Sequence, residues 1–219
     1  MSDMQLIVFD MDGTICDSWP SMLYCYRETL KEWGFEDMPD EEFWSYFVGY
    51  LPENLSAMLH TDDEEEIKRA VAFFRQKYEE RGHALSRPFD HILDTIKELH
   101  SRGFKIGLAT MTLEKYALNT IRELGILDCF DVAKGSPQEG HRTKADMIRM
   151  CMDATGVDGV HTLMIGDGHN DYNAAKKAGT HFLAAAYGFG LTEENCLEYG
   201  ISYVKKPEQV LQAVLDFKA

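Results

Sequence analysis

The chain has 219 residues, 45% of them hydrophobic, and a formal net charge of −15. That charge, with no Lys/Arg cluster to interrupt it, repels a phosphate backbone and argues against nucleic acid as a partner. The five cysteines show no CxxC pair and read as reduced thiols, and the longest early apolar run, Leu6 to Phe9, is too short for a signal peptide or a span. The expectation is a cytoplasmic protein with no membrane partner.

The first element lies in QLIVFDMDGTICDS, residues 5–18. Leu6–Asp10 reads as a strand buried on both faces, because its apolar residues are continuous rather than alternating. It runs into two carboxylates one residue apart, Asp10 and Asp12. Like charges at a buried strand end raise each other's pKa, so something positive must meet them there.

From Ser18 to Ser86 only helical spacing is found. Ser18 is a plausible N-cap for a helix that runs to Trp33 and stops at Gly34. Near the end of the segment Ile67, Val71, Phe74 and Tyr78 form one apolar stripe. Glu64–Lys68 and Glu65–Arg69 are expected to pair at i,i+4 on the outer face. The acidic run Asp63-Glu64-Glu65-Glu66 reads as a first helical turn at the positive end of the dipole, not as a metal site.

After residue 88 strands and helices alternate. Phe104–Thr110, Phe130–Ala133, Thr162–Gly166 and His181–Ala186 are strand candidates. Ile92, Ile96 and Leu99 mark a helix ended by Gly103, and Lys144–Thr155 marks another before Gly156. The pattern predicts an α/β fold: a Rossmann-like, three-layer open parallel sheet. Residues 1–16 and 87–219 would form this core, and residues 17–86 an inserted all-helical domain.

Four places fall at or just past strand ends: Asp10-Met11-Asp12-Gly13-Thr14; Thr110; Lys144; and Gly166-Asp167-Gly168-His169-Asn170-Asp171. In a parallel sheet all four converge on one rim. Carboxylates at that density call for a divalent cation, and hard oxygen ligands suit Mg²⁺. A carboxylate beside Mg²⁺ and facing a phosphate can act as a nucleophile. Lys144, the Thr110 hydroxyl and backbone N–H groups after Asp10 would hold the phosphoryl charge. Lys134, at the end of a strand candidate, is the alternative lysine. His169 reads as a loop residue.

DMDGT, the strand-end Thr, the later Lys and GDGHND, in that order, resemble the four motifs of the haloacid dehalogenase superfamily. The helical insertion after the first motif is similar to the cap of its phosphoglycolate phosphatase-like branch. The resemblance implies a Mg²⁺-dependent phosphatase acting on a small phosphorylated metabolite, phosphoglycolate-like or a sugar phosphate. It implies that Asp10 is the nucleophile, forming an aspartyl-phosphate, and Asp12 the general acid and base. Asp10, the carbonyl of Asp12 and Asp167 would hold the metal, with Asp171 in support. Met11, Thr110, Met111 and Lys144 would bind phosphate. Gly49-Tyr50-Leu51-Pro52 resembles the cap loop that selects substrate, although an ordinary interhelical turn accounts for it equally. The alternatives are a phosphomutase of the β-phosphoglucomutase type and a non-catalytic phospho-acceptor module. Either a monomer or a homodimer is compatible with the sequence.

Overall fold

The computed structural model describes residues 3–47, 50–138 and 141–218. In chain order it contains β1 (Leu6–Phe9), then α1 (Trp19–Glu32), α2 (Asp40–Phe47), α3 (Leu51–Leu59) and α4 (Glu64–Glu80). There follow α5 (Ile92–Ser101), β2 (Lys105–Leu113), α6 (Glu114–Glu123), β3 (Val132–Ser136) and α7 (Lys144–Thr155). The chain ends with β4 (Thr162–Gly166), α8 (His169–Ala178), β5 (His181–Ala185), α9 (Glu193–Tyr199), β6 (Tyr203–Val204) and α10 (Val210–Asp216). It divides into two compact units, Met1–Asp17 with Pro88–Ala219, and Ser18–Arg87.

In the first unit six strands form a sheet in the order β3-β2-β1-β4-β5-β6, with every neighbouring pair parallel. Successive strand residues face opposite sides, which is why the apolar runs are continuous. Ile7, Phe9, Ile106, Leu108, Leu163 and Ile165 pack with α5, α6 and α10 through Ile96, Leu99, Ile121 and Val214. Leu6, Val8, Ala109 and Met164 pack the other way, onto Ile148 and Cys151 of α7, Ala174 and Ala175 of α8 and Cys196 of α9. This is the expected three-layer arrangement. Strand order reverses at β1, between β2 and β4, and such a switch point opens a crevice at the strands' carboxyl ends.

Several elements differ from the sequence reading. β3 begins at Val132 rather than Phe130, because Asp131 is tied to Ile106 through both its backbone N–H and its carboxylate, at 2.9 Å each. Lys134 therefore lies inside the strand. β2 runs on past Thr110 to Leu113, with a register shift against β3 between Ala109 and Leu113. β6 has no counterpart in the sequence reading; it is two residues long and joins the sheet through the carbonyls of Ser202 and Val204.

The second unit is helical, with Cys25, Tyr26, Leu30, Phe43, Leu55, Met58, Val71 and Phe74 as its core. Tyr26 is fully buried between Phe43 and Phe74, and its hydroxyl accepts a hydrogen bond from Asn54 at 3.0 Å. Burial pushes the Tyr26 phenol up to about 12, only partly opposed by that bond. In α4 Val71 and Phe74 are buried, with Ile67 and Tyr78 packed beside them. Asp63 is the N-cap of α4, accepting from the N–H groups of Glu65 and Glu66, so only Glu64 to Glu66 form the first turn. The expected i,i+4 ion pairs are instead i,i+3: Lys68 to Glu65 at 2.6 Å and Arg69 to Glu66 at 4.0 Å. Glu65 and Glu66 reach the same cations one residue sooner along the helix. Ser18 stands at the N-cap of α1, but its buried hydroxyl makes no capping bond. Pro20, in the first turn of α1, has no N–H for it to accept.

All five cysteines are free thiols, buried except for Cys129. No helix among the described residues is long and apolar enough to cross a membrane.

Candidate active site

β1 ends where the apolar run ends, and Asp10 continues its path with its N–H donating to Ile165 O of β4 at 2.9 Å. Asp167 follows β4 directly. The two strands are paired residue for residue through Phe9 and Ile165, so their next carboxylates emerge side by side. Asp171 stands in the first turn of α8, buried, and its Oδ2 accepts from Gly168 N–H at 2.9 Å. One carboxylate oxygen from each of Asp10, Asp167 and Asp171 lies within 4.8 Å of the others.

Lys144 enters this cluster from the first residue of α7, whose start is fixed by a capping box between Thr143 and Asp146. Its ammonium is 2.8 Å from Asp10 Oδ2 and 2.5 Å from Asp171 Oδ1, and the side chain is buried. Of the two candidate lysines, Lys144 is the one that meets the carboxylates. Burial opposes its charge, but Asp10 and Asp171 outweigh burial and hold the ammonium above its ordinary range. One ammonium among three carboxylates leaves two negative charges uncompensated, the deficit a divalent cation matches.

The titration behaviour of the acids expresses that deficit. Burial pushes the Asp10 carboxyl well above the usual range; Lys144 opposes this, and Asp171, Asp167 and Asp12 add to it. Asp167 is pushed up to about 7, first by burial and then by Asp171, against the pull of two backbone N–H groups. Those donors are Phe189 at 2.7 Å and Gly190 at 3.2 Å, both to Oδ2. Asp10 Oδ1 is buried with no hydrogen-bond partner. An all-oxygen donor set carrying more negative charge than one ammonium balances fits a hard divalent cation.

Two glycines allow this crowding. Gly13 has φ +77°, and a Cβ there would fall 2.3 Å from Asp167 Oδ2. A Cβ on Gly188 would fall 2.2 Å from the Gly13 carbonyl oxygen and 2.3 Å from Asp167 Cβ. The loop carrying Gly188, Phe189 and Gly190 has no periodicity and went unread in the sequence. Its Gly-Phe-Gly spacing was the available signal.

The remaining expected residues are placed as follows. Met11 is buried, and its carbonyl accepts from Ile15 and Cys16 N–H at 2.9 Å each, folding the DMDGT segment back on itself. Thr110 is buried, and its hydroxyl oxygen accepts from Thr112 N–H at 3.2 Å. Met111 is half-buried, and its carbonyl accepts from the Ser136 hydroxyl at 2.7 Å. Asp12 is half-buried, and its carboxylate accepts from the Thr112 hydroxyl at 2.6 Å. His169 opens α8 at the surface. Of the candidate specificity loop, Tyr50 is an exposed N-cap and Leu51 and Pro52 form the first turn of α3, while Gly49 lies outside the described residues.

Comparison with known proteins identifies the family. The haloacid dehalogenase-like hydrolase family matches residues 7–185. A phosphoglycolate phosphatase of Vibrio vulnificus is 30% identical over 196 residues, covering 85% of this chain and 86% of the relative. One from Aliivibrio fischeri is 28% identical with the same coverage. The solved structure of a haloacid dehalogenase-like family hydrolase from Streptococcus pneumoniae superposes with a TM-score of 0.87 at 27% identity, covering 97% of this chain and 99% of that one. The chain therefore belongs to the haloacid dehalogenase-like hydrolase family, as an enzyme of its phosphatase kind.

Proposed function

We propose that this chain is a Mg²⁺-dependent phosphatase that hydrolyses a small phosphorylated metabolite through an aspartyl-phosphate on Asp10. The state of Asp10 carries the reading: Oδ2 is held by Lys144 at 2.8 Å, while Oδ1 is buried and unpartnered. A carboxylate pinned by one oxygen and unmet at the other is arranged to attack an electrophile.

In this reading Asp10 attacks phosphorus in line with the departing ester oxygen, and Asp12 gives that oxygen a proton. Asp12 then takes a proton from the water that releases phosphate from Asp10. The Thr110 hydroxyl, the N–H groups of Met11 and Met111, and the Lys144 ammonium hold the phosphoryl oxygens. The carboxylates of Asp10 and Asp167 and the carbonyl of Asp12 would hold Mg²⁺, supported by Asp171. The ion, when bound, supplies positive charge that offsets the crowded carboxylates and the phosphoryl group. Uncatalysed hydrolysis of phosphate monoesters is so slow that the barrier must fall by more than ~23 kcal/mol. A general acid worth about 10²–10⁴-fold cannot supply that alone, so clamping and positioning carry most of it.

The names of the curated relatives support a phosphoglycolate-like ester as the substrate, and the family resemblance extends the candidates to sugar phosphates. The helical unit would serve as a cap that selects among them through the segment around Tyr50, Leu51 and Pro52, and that excludes water. A cytoplasmic monomer or homodimer suffices for this chemistry.

The test is inorganic phosphate release from a panel of esters with Mg²⁺, with Asp10→Asn in parallel. Release by the wild type that is lost in the variant and reversibly lost on chelation supports the reading. No release from any ester overturns it, and in that case an aspartyl-phosphate that forms without being hydrolysed points to a mutase.

A further inference from the structure

We propose that Thr112 is a positioning residue that aims the proton of Asp12; the inference rests on the general acid role given to Asp12 above. Thr112 is separated from Asp12 by 100 residues, yet its hydroxyl donates to Asp12 Oδ2 at 2.6 Å. Both residues are only half-buried, so the bond is not forced by close packing around them.

The reason Thr112 reaches Asp12 lies in the backbone. In a regular strand residues 110 and 112 would face the same side, two positions apart. Here β2 loses register against β3 between Ala109 and Leu113. The carbonyl of Met111 within the irregular stretch is fixed by Ser136 Oγ at 2.7 Å. The N–H of Thr112 turns to Thr110 Oγ1 at 3.2 Å. Such irregularities re-aim side chains beside active sites. This one serves two site residues together. It occupies a lone pair of Thr110, leaving that O–H free to donate, and it delivers a hydroxyl to Asp12.

The bond divides the labour between the two oxygens of Asp12. With Oδ2 accepting from Thr112, the transferable proton belongs on Oδ1. As the bond from Asp10 to phosphorus forms and the bond from phosphorus to the ester oxygen breaks, the Oδ1 proton passes to that oxygen and Asp12 becomes a carboxylate. In the second half, Oδ1 takes a proton from water as the water oxygen bonds to phosphorus, and Asp10 departs with the electron pair. The Thr112 proton stays on Thr112 throughout. Without that bond the Asp12 carboxylate rotates freely, and misplacement of a reacting group by about 1 Å can cost 10²-fold.

The discriminating readout is the leaving group. An alkyl phosphate such as glycerol phosphate needs its departing oxygen protonated, whereas the phenolate of p-nitrophenyl phosphate leaves without help. In Thr112→Val, which keeps the branched shape and the backbone N–H, kcat/KM on the alkyl ester, which reports formation of the aspartyl-phosphate, should fall about 30- to 100-fold. On the aryl ester kcat/KM should fall less than about 3-fold, while kcat falls on both esters because hydrolysis of the shared aspartyl-phosphate also uses Asp12. Thr112→Ser should restore alkyl turnover to within about 3-fold, and Thr112→Ala replaces the valine variant if its thermal melt shows misfolding. Equal falls in kcat/KM on the two esters, or an unchanged kcat/KM on the alkyl ester, overturn the assignment. A wild type that releases phosphate from neither ester overturns the phosphatase reading itself, a result separable from the first.

Discussion

Replacing Lys144 by Met removes the one ammonium that, among the described residues, pairs with the clustered carboxylates, while nearly preserving side-chain volume. At an effective dielectric of ~20 its attractions to Asp10 and Asp171 are each worth about 6 kcal/mol before desolvation. Desolvation of the buried ions offsets most of that. What remains on deleting one partner is about 3–5 kcal/mol, the cost of leaving the others uncompensated. For a chain of this size that is a fall of about 6–20 °C in the core's melting temperature. The measurement is thermal and urea unfolding in chelator at pH 8 and at pH 5, then with saturating Mg²⁺. The loss should be largest at pH 8 without metal. It should shrink at pH 5, where Asp167 and Asp10, both shifted upward, take up the proton that substitutes for the ammonium. It should also shrink with Mg²⁺. A variant as stable as wild type at pH 8 in chelator, or equally destabilised under all conditions, refutes the charge argument.

Two further outcomes follow from the site. Asp167 has a folded pKa of about 7, above its unfolded value, so its contribution is fully present below about pH 4 and is lost as pH rises through 7. The stability of Asp167→Asn relative to wild type, in chelator, should therefore grow from pH 4.5 to 8 by up to about 3 kcal/mol, and a difference that is flat with pH would contradict it. Gly188→Ala places a Cβ against the Gly13 carbonyl and Asp167, and should cost about 1–3 kcal/mol by calorimetry and lower phosphate release at least 10-fold; wild-type behaviour would show that the loop yields.

What could be read in advance followed from how local each signal is. Strands buried on both faces announce themselves as apolar runs, and the acids that follow them mark the rim, so Asp10, Asp167 and Lys144 could be named from spacing and order. β6 could not, because two residues carry no period and its place is set by hydrogen bonds to β5. The Phe130–Ala133 run misled because Asp131 spends its backbone and side chain on Ile106 and delays the strand. Thr112 was invisible, and the Gly188–Gly190 loop showed only its Gly-Phe-Gly spacing, for a different reason. Their partners lie 100 and about 20 residues away, and their contacts exist only once the sheet has formed.

The central place of β1 bears on how the protein is made. Its two neighbours are β2, about a hundred residues downstream, and β4, beyond residue 160. The first of the six strands to leave the ribosome is thus left with an open edge until most of the chain has been synthesised. Among the described residues, none of the other five strands of this sheet lies between β1 and β2 in the chain. Such long-range parallel pairing is slow, and unpaired apolar strands invite aggregation during the delay. Nascent chains arrested before residue 160 should engage chaperones through residues 6–9. Release should come only when Thr162–Gly166 emerges and closes the sheet, the same event that brings Asp167 to Asp10.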